Sequence, residues 1–424
     1  MSKLAIHGGR PVIDSPLPAY HTLGPEETRA VLEVMEGGSL SSYLAVAGEF
    51  FEGGAGVRQL EAEWAQYFGV AHAVALNSAT SALYAAMGAA GVGPGDEVVV
   101  SPYTMAASAT CAMIYNAVPV FADVDPETFC ISPDTIKAVL TPRTKAIVVV
   151  DILGHPAEME GIMALAREHG LVVVEDAAQA YGASLNGRPA GTMGHIGVFS
   201  LNYHKTIQCG EGGVAVTDDP ELALRLKLIR NHAEVVAEDT HVANLVDLVG
   251  FNFRMTELEA AIARQQLRKV AALAAQRQAN AARLTQALNG LEGLIPPVVR
   301  PGASHGYYLY ALRCDQERLG VSRAAFVAAL RAEGLPAVEG YVKPIYLSPI
   351  YQERIAYGMT GCPFACPLYQ GSVSYAKGIC PVCERLHYQE LFFTNAIHAG
   401  LGPGQIDLVA EAIRKVHRLR AELA

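Results

Sequence analysis

Lys205 is the residue around which the sequence concentrates its chemistry. It follows the β-rich run Ile196–Ser200 and a polar corner, and it precedes a turn at Gly210, Gly212 and Gly213 in the stretch VFSLNYHKTIQCGEGG, Val198–Gly213. A lysine held between a buried strand and a glycine turn can lose its proton through burial and act as an amine nucleophile. A solvated loop lysine beside an ordinary turn has the same local pattern. Two upstream stretches bear on the choice. In VVVEDAAQA, Val172–Ala180, an apolar strand runs into Asp176 and then into small residues that let a flat group approach. A carboxylate desolvated there needs a partner, and a pyridinium nitrogen is one. An Asp capping the next helix is the plainer alternative. In Asn77-Ser78-Ala79-Thr80-Ser81, hydroxyls and backbone N–H groups meet at a helix start, an anion site with phosphate as its natural guest. Simple N-capping by Ser78 or Thr80 accounts for the same residues.

Taken together, a phosphate cradle, a strand-end Asp and a corner Lys occur in that order across about 130 residues. That is the inventory a pyridoxal phosphate enzyme needs. The elements that must position it follow from periodicity. Short β-branched runs at Ala73–Leu76, Glu97–Val100, Val118–Ala122, Ala146–Val150, Val172–Val174, Ile196–Ser200 and Val214–Thr217 alternate with helical segments such as Thr80–Gly91 and Asp219–Asn231. Apolar strands with helical crossovers predict an α/β fold with a mostly parallel central sheet covered by helices. Its carboxyl strand ends are where such sheets bind ligands.

The flanking segments differ in texture. Met1–Tyr20 is Pro- and Gly-punctuated and suits an arm lying against another surface, followed by a helix over Gly24–Met35. The Gly-rich loop Gly37–Gly56 carries Tyr43, Phe50 and Phe51, aromatics expected to pack over a ligand or a partner subunit, and Val57–Phe68 is amphipathic. Thr256–Asn289 has the pattern of one long alanine-rich helix. After Pro296-Pro297 a strand at Tyr307–Arg313, a helix at Ser322–Glu333 and a final helix at Gly404–Leu423 make a smaller C-terminal α+β lobe. The expected division is 1–36 as arm and helix, 37–290 as the large domain and 291–424 as the small one.

Composition narrows the function classes. The 424 residues are 51% hydrophobic and 17% charged with net charge −10, which suits buried sheet or a large subunit interface and disfavours nucleic-acid or acidic-membrane partners. No signal-peptide pattern or apolar run of spanning length is present, so a cytoplasmic location is expected. Cys111, Cys130, Cys209 and Cys314 are isolated among apolar neighbours and suit reduced, buried thiols. Cys362-x3-Cys366 and Cys380-x2-Cys383 lie thirteen residues apart, close to ribbon-like zinc spacing, but prolines adjoin them. Packed, reduced thiols are the expectation, and no metal is assigned.

Beyond these residue-level patterns, the chain resembles the DegT/StrS family of pyridoxal phosphate-dependent sugar aminotransferases, which have the fold type I architecture. The matches are GPEETRAVLEVM, NSATSAL, GPGDEVVVSPYTMAASA, VPVFADVDPETF, VVVEDAAQAYGA, FSLNYHKTIQCGEGG, LIRNH and GFNFRMTELEAAIARQQL. The resemblance implies that Lys205 carries the cofactor covalently and later shuttles a proton, that Asp176 pairs with the pyridine nitrogen, and that Gln179 lies near the ring's 3′-oxygen. It implies that Ser78, Ala79, Thr80 and Ser200 hold the phosphate and that Asn252 reaches it from the other subunit of a homodimer. Met105 stands where the family usually stacks an aromatic ring on the cofactor, a departure, as are Ala233 in place of a frequent Gly and the enlarged Gly37–Gly56 loop. Relatives with histidine in place of the lysine are dehydratases, and His204 adjoins Lys205, so a one-residue slip would change the class. A non-catalytic cofactor-binding regulator is a further alternative. The implied reaction moves an amino group from glutamate or glutamine to a keto-sugar, nucleotide-linked in the family's commonest case, or to a free keto-cyclitol or keto-octulosonate. Arg254, Lys343 and Arg354 are candidate diphosphate contacts.

Overall fold

In the computed structural model, which describes residues 3–423 apart from 241, 243 and 359, the β-branched runs assemble into one seven-stranded sheet. The outermost bounds of the terminal segments, residues 1, 2 and 424, lie outside the described residues. The strands lie in the order His72–Leu76, Gly213–Thr217, Ile196–Ser200, Val172–Asp176, Thr144–Val150, Glu97–Val100, Val118–Phe121. Gly213–Thr217 is antiparallel to both its neighbours, and the pairs from Ile196–Ser200 outward are parallel. The central strands are buried along nearly their whole length, which explains why they are apolar runs without alternation. The helices Ala79–Ala89, Ala107–Ile114 and Pro220–Arg230 pack together, and the first lies directly on the sheet.

A second, four-stranded antiparallel sheet contains Leu294–Ile295, Tyr310–Cys314, Leu391–Thr394 and Val338–Glu339. Short pairs at Ser184–Leu185, Arg188–Pro189 and Ala303–Ser304 form a third. The N-terminal arm packs on the four-stranded region. Leu4 and Ile13 enter its core, and Glu333 accepts the Ala5 and Val12 amides at 2.9 and 3.0 Å. The Tyr- and Cys-rich stretch packs instead on the edge strand of the large sheet, where Phe121 meets Tyr346, Tyr351 and Tyr375.

Three expectations are corrected. The single helix over 256–289 is two, Glu257–Leu267 and Val270–Leu288, divided at Arg268–Lys269. No glycine or proline marks the break. Gln266 and Lys269 both donate to the Thr22 carbonyl and to Glu27, so a tertiary hold from the arm coincides with it. The strand placed at Tyr307 begins at Tyr310, because Tyr307 has a φ of +50° and turns the chain first. In the Gly37–Gly56 loop, Tyr43 and Phe51 are buried within this chain, and only Phe50 projects. Tyr43 lies under Arg230, whose guanidinium is 5.0 Å from its ring.

The wall behind the candidate site is aromatic. Trp64, Phe68, Tyr181 and Phe199 pack with centroids 4.4–6.2 Å apart. Tyr181 donates to the Ser200 carbonyl at 3.1 Å, which ties that packing to the strand end. Truncating Trp64, fully buried, would cost about 3–5 kcal/mol. Among the described residues no helix is long and apolar enough to cross a membrane.

Candidate active site

The parallel strands Val172–Asp176 and Ile196–Ser200 deliver Asp176 and Ser200 to the same edge of the sheet, and the loop after Ser200 brings Lys205 back over it. A cavity of about 160 Å3 opens there, lined by Ser78, Met105, Asp176, Gln179, Ser200 and Lys205 among others. Ala79 and Thr80 line it as well. So one cavity collects every predicted site residue except Asn252. That residue is exposed, bridges to the buried Asn231, and does not line the cavity.

Each group is held by identifiable neighbours. Ser78 caps the helix Ala79–Ala89, accepting from the Ser81 amide at 3.0 Å, and Ser81 donates to Asn77 at 2.6 Å. The N–H groups of Ala79 and Thr80 open the helix and have no intrahelical acceptor. A side chain at Gly213 would collide with the Ser78–Ala79 backbone, so glycine lets this strand press against the turn. Gln179 is fixed at both ends: it accepts from the Leu153 amide at 2.9 Å and donates to the Tyr341 hydroxyl at 2.8 Å.

Asp176 is buried and accepts from Ser108 Oγ at 2.8 Å and from the Ala178 amide at 3.2 Å. Burial raises its carboxyl above the ordinary range, while Ser108, Ala178 and Lys205 oppose the shift. Burial lowers the Lys205 amine to about 8, against the pull of Asp176. Its Nζ lies 4.8 Å from the centre of the Tyr308 ring. Lys205 is buried and the adjacent His204 exposed, so the geometry favours the lysine register.

These residues fit pyridoxal phosphate. The helix start offers unpaired N–H groups to an anion, the Asp176 carboxylate is bonded only by neutral donors, and Asn202 Oδ1 is a buried acceptor without a partner in the cavity wall. A cation beside Asp176 would reverse its upward shift. Ser108, Tyr308, Tyr341 and Asn202 are site residues missed in the sequence. Ser108, three residues after Met105 in a stretch of small residues, had a faint signal, whereas the tyrosines come from distant segments and had none. None of Arg254, Lys343 and Arg354 lines the cavity, and Arg354 donates to the Val373 carbonyl at 2.7 Å. Cys111, Cys130, Cys209 and Cys314 are buried free thiols. Cys366 accepts from the Asn116 side-chain amide at 3.5 Å, while Cys380 and Cys383 pack by Phe121 and Asp123. Among the described residues no three His, Cys, Asp or Glu side chains are grouped to hold a metal ion.

Comparison with known proteins is consistent with this geometry. Residues 39–376 match the model of the DegT/DnrJ/EryC1/StrS aminotransferase family. The spore coat polysaccharide biosynthesis protein SpsC of Bacillus subtilis (strain 168) is 36% identical over 400 residues, covering 93% of this chain and 95% of that protein. The L-glutamine:2-deoxy-scyllo-inosose aminotransferase of Streptoalloteichus tenebrarius is 34% identical over 435 residues, 99% of each chain. Among solved structures, the aminotransferase from Psychrobacter cryohalolentis superposes with a TM-score of 0.81 at 32% identity, covering 95% of this chain and 98% of that one.

Proposed function

The chain belongs to the DegT/DnrJ/EryC1/StrS aminotransferase family, and from that premise we propose that it transfers an amino group from glutamate or glutamine to the keto group of a nucleotide-linked sugar, with pyridoxal 5′-phosphate as cofactor. The family is pyridoxal phosphate-dependent and works on sugars and cyclitols. The observation that carries the reading is the presence of a buried, low-pKa amine and a buried carboxylate in one cavity beside an open helix start. Bound there, the cofactor supplies an electron-withdrawing ring and an aldehyde that carries the amino group between donor and acceptor.

The protein's own groups divide the remaining work. Ser78, the Ala79 and Thr80 amides and Ser200 would hold the phosphate. Asp176, braced by Ser108, would hold negative charge for the ring nitrogen, and Gln179, locked by Leu153 and Tyr341, would serve the ring's oxygen. Lys205 would be the residue that holds the cofactor covalently, through Nζ. Once released, with its pKa near 8, it has an appreciable neutral fraction and moves a proton from the donor's Cα. Ping-pong kinetics follow from the two half-reactions. Met105, more than half exposed, lies at the cavity with its thioether sulfur accepting from the Ala107 amide at 3.0 Å.

The working unit in this reading is a homodimer. Asn252 cannot serve its own cavity, and beside it the loop carrying Leu44, Val46 and Phe50 exposes apolar side chains. Asn231, paired with Asn252, donates to the Leu44 and Phe51 carbonyls, which places that apolar loop and Asn252 on one face. A second acceptor reading, a free keto-cyclitol, is favoured by the 99% mutual coverage with the 2-deoxy-scyllo-inosose aminotransferase. It is also favoured by a cavity lining that holds no arginine for a diphosphate. The test is to load the enzyme with the amine form of the cofactor and offer keto-sugars, with and without a nucleotide, and keto-cyclitols. Return of the aldehyde absorbance identifies the acceptor. No return with any ketone, while glutamate and glutamine also fail to bleach the aldehyde form, would refute the aminotransferase reading.

A further inference from the structure

Three residues far apart in sequence converge on the lysine turn. From the N-terminal arm, Tyr20 donates its hydroxyl to the carbonyl of Thr206, the residue after Lys205, at 2.6 Å. Over the Tyr20 ring, 5.1 Å from its centre, lies the guanidinium of Arg277, a buried residue of the helix Val270–Leu288. Arg277 Nη1 in turn donates to the carbonyls of Tyr307 and Tyr308 at 3.1 and 3.0 Å. The Tyr308 ring then covers Lys205 Nζ at 4.8 Å. The contacts close a ring: Lys205, Thr206, Tyr20, Arg277, Tyr308 and back to Lys205.

The ring is built with some strain and little slack. Tyr307 occupies the left-handed region at a φ of +50°, which a bulky residue adopts only when its surroundings hold it. Gly154, itself at a φ of +97°, accepts the Gly306 amide at 2.7 Å, and a side chain there would run into the Tyr307 and Tyr308 amides. Arg277 pays for its burial incompletely, since its Nε has no partner, yet its Nη1 serves two carbonyls of the Tyr308 turn. An aromatic packing role alone needs neither a buried guanidinium nor a left-handed tyrosine.

We propose that Tyr308, Arg277 and Tyr20 are positioning residues for Lys205: Tyr308 holds the amine by its ring face, and Arg277 and Tyr20 lock that ring and the lysine backbone to each other. A ring face attracts an ammonium and gives it no hydrogen-bond acceptor. The amine is steered without being tied, so it stays free to attack and to carry a proton. The proposal rests on the aminotransferase reading for what Lys205 does, and on these contacts for how Lys205 is held. Other charged or titratable groups around the amine are Asp176 across the cavity, His204 and Glu211 on its own loop, and Tyr341 beyond Gln179.

The test uses the full chain and two readouts. In cofactor-free protein, trace acylation at Lys205, followed across pH by peptide mass spectrometry, gives the midpoint of the amine without requiring turnover. Tyr308→Leu keeps the cover but removes the ring's negative face, so the midpoint is expected to fall by about half to one pH unit. Tyr308→Phe keeps the face and is expected to match wild type. Arg277→Met is expected to shift it the same way by less. In the loaded enzyme, Tyr20→Phe, a mild change that removes only the Thr206 bond, is expected to lower kcat severalfold with an unchanged KM for the amino donor. An unmoved or raised midpoint in Tyr308→Leu would overturn the proposal, as would a Tyr20→Phe effect confined to KM. Absence of any amino transfer by wild-type protein would refute the proposed reaction instead, and the labelling midpoints would still decide how Lys205 is held.

Discussion

Two lysines in this molecule are buried almost equally, Lys205 at 8% exposure and Lys415 at 6%, and they are treated in opposite ways. Lys415, on the C-terminal helix, donates to Glu333 and to the Arg10 carbonyl, both at 2.8 Å. Glu333 in turn accepts amides from the N-terminal arm, so this ammonium is a strut that closes the chain's beginning onto its end. Lys205 meets a ring face and a through-space attraction to Asp176. Burial of an amine is therefore no mark of function by itself. What distinguishes Lys205 is that its desolvation is left uncompensated by a close carboxylate, which lowers its pKa and keeps it reactive.

The sharpest way to break this contrast is to remove each amine in turn. Lys205→Ala is expected to reduce amino transfer by about 10^2–10^4-fold, the contribution of a positioned proton carrier. Borohydride reduction of the loaded variant should leave no cofactor on the peptide containing position 205. Its thermal stability should be equal to or above that of wild type. Lys415→Met should do the reverse, lowering unfolding free energy in denaturant by about 3–5 kcal/mol because Glu333 is left buried and unpaired. Turnover per folded molecule should be retained. A stability loss in the first variant and none in the second would reverse the assignment.

The carboxylates sharpen the comparison further. Asp176→Asn keeps the shape and the bond from Ser108 but removes the charge, and turnover is expected to fall by about 10^2–10^3-fold, as when a preorganised electrostatic partner is lost. A smaller effect follows from pH. The folded pKa of Lys205 near 8 lies below its ordinary 10.5, so between those values the unfolded chain holds a proton that the folded chain has shed. Stability attributable to this group therefore rises as pH increases from about 8 to 10.5. Relative to Lys205→Met, cofactor-free wild type should be less stable below pH 8, by on the order of 3 kcal/mol, and the gap should close toward pH 10.5. Denaturant titrations of both proteins at several pH values check this. A gap that does not vary with pH would mean that Lys205 is solvated.

The two lysines also show what a sequence discloses. Lys205 was legible because it sits where periodicity stops, at a strand end followed by glycines, and Ser78, Asp176 and Ser200 share that property. The strand order could not be read from the runs themselves, but their continuous apolarity was enough for a mostly parallel sheet. What was not legible came from side chains crossing between distant elements. Lys415 looks like any basic residue in the last turn of a helix, and its partner Glu333 is 82 positions away. Tyr308 and Tyr341 come from beyond residue 300 to touch Lys205 and Gln179, and no local pattern announces them. The break at Arg268–Lys269 is similar: its neighbours Thr22 and Glu27 belong to the arm, and a helix-favouring sequence offers no warning.

Met105 tests how much of the grip on the cofactor comes from the cavity's cover. It lines the cavity at 56% exposure, and in the proposed reading it would cover a bound ring with one flexible thioether. Burying an aromatic ring against a second ring adds about 0.5–1.5 kcal/mol beyond area alone. Met105→Tyr is therefore expected to slow cofactor loss by about two- to tenfold, measured as the decay of bound-cofactor absorbance after dilution into cofactor-free buffer. The Sδ contact to the Ala107 amide, at 3.0 Å, would be lost in exchange, but that amide opens the helix Ala107–Ile114 and can turn to water. If retention were unchanged, Asp176, Lys205 and the Ser78 turn would be supplying the whole grip. The methionine would then be a cover that leaves the site's electrostatics alone.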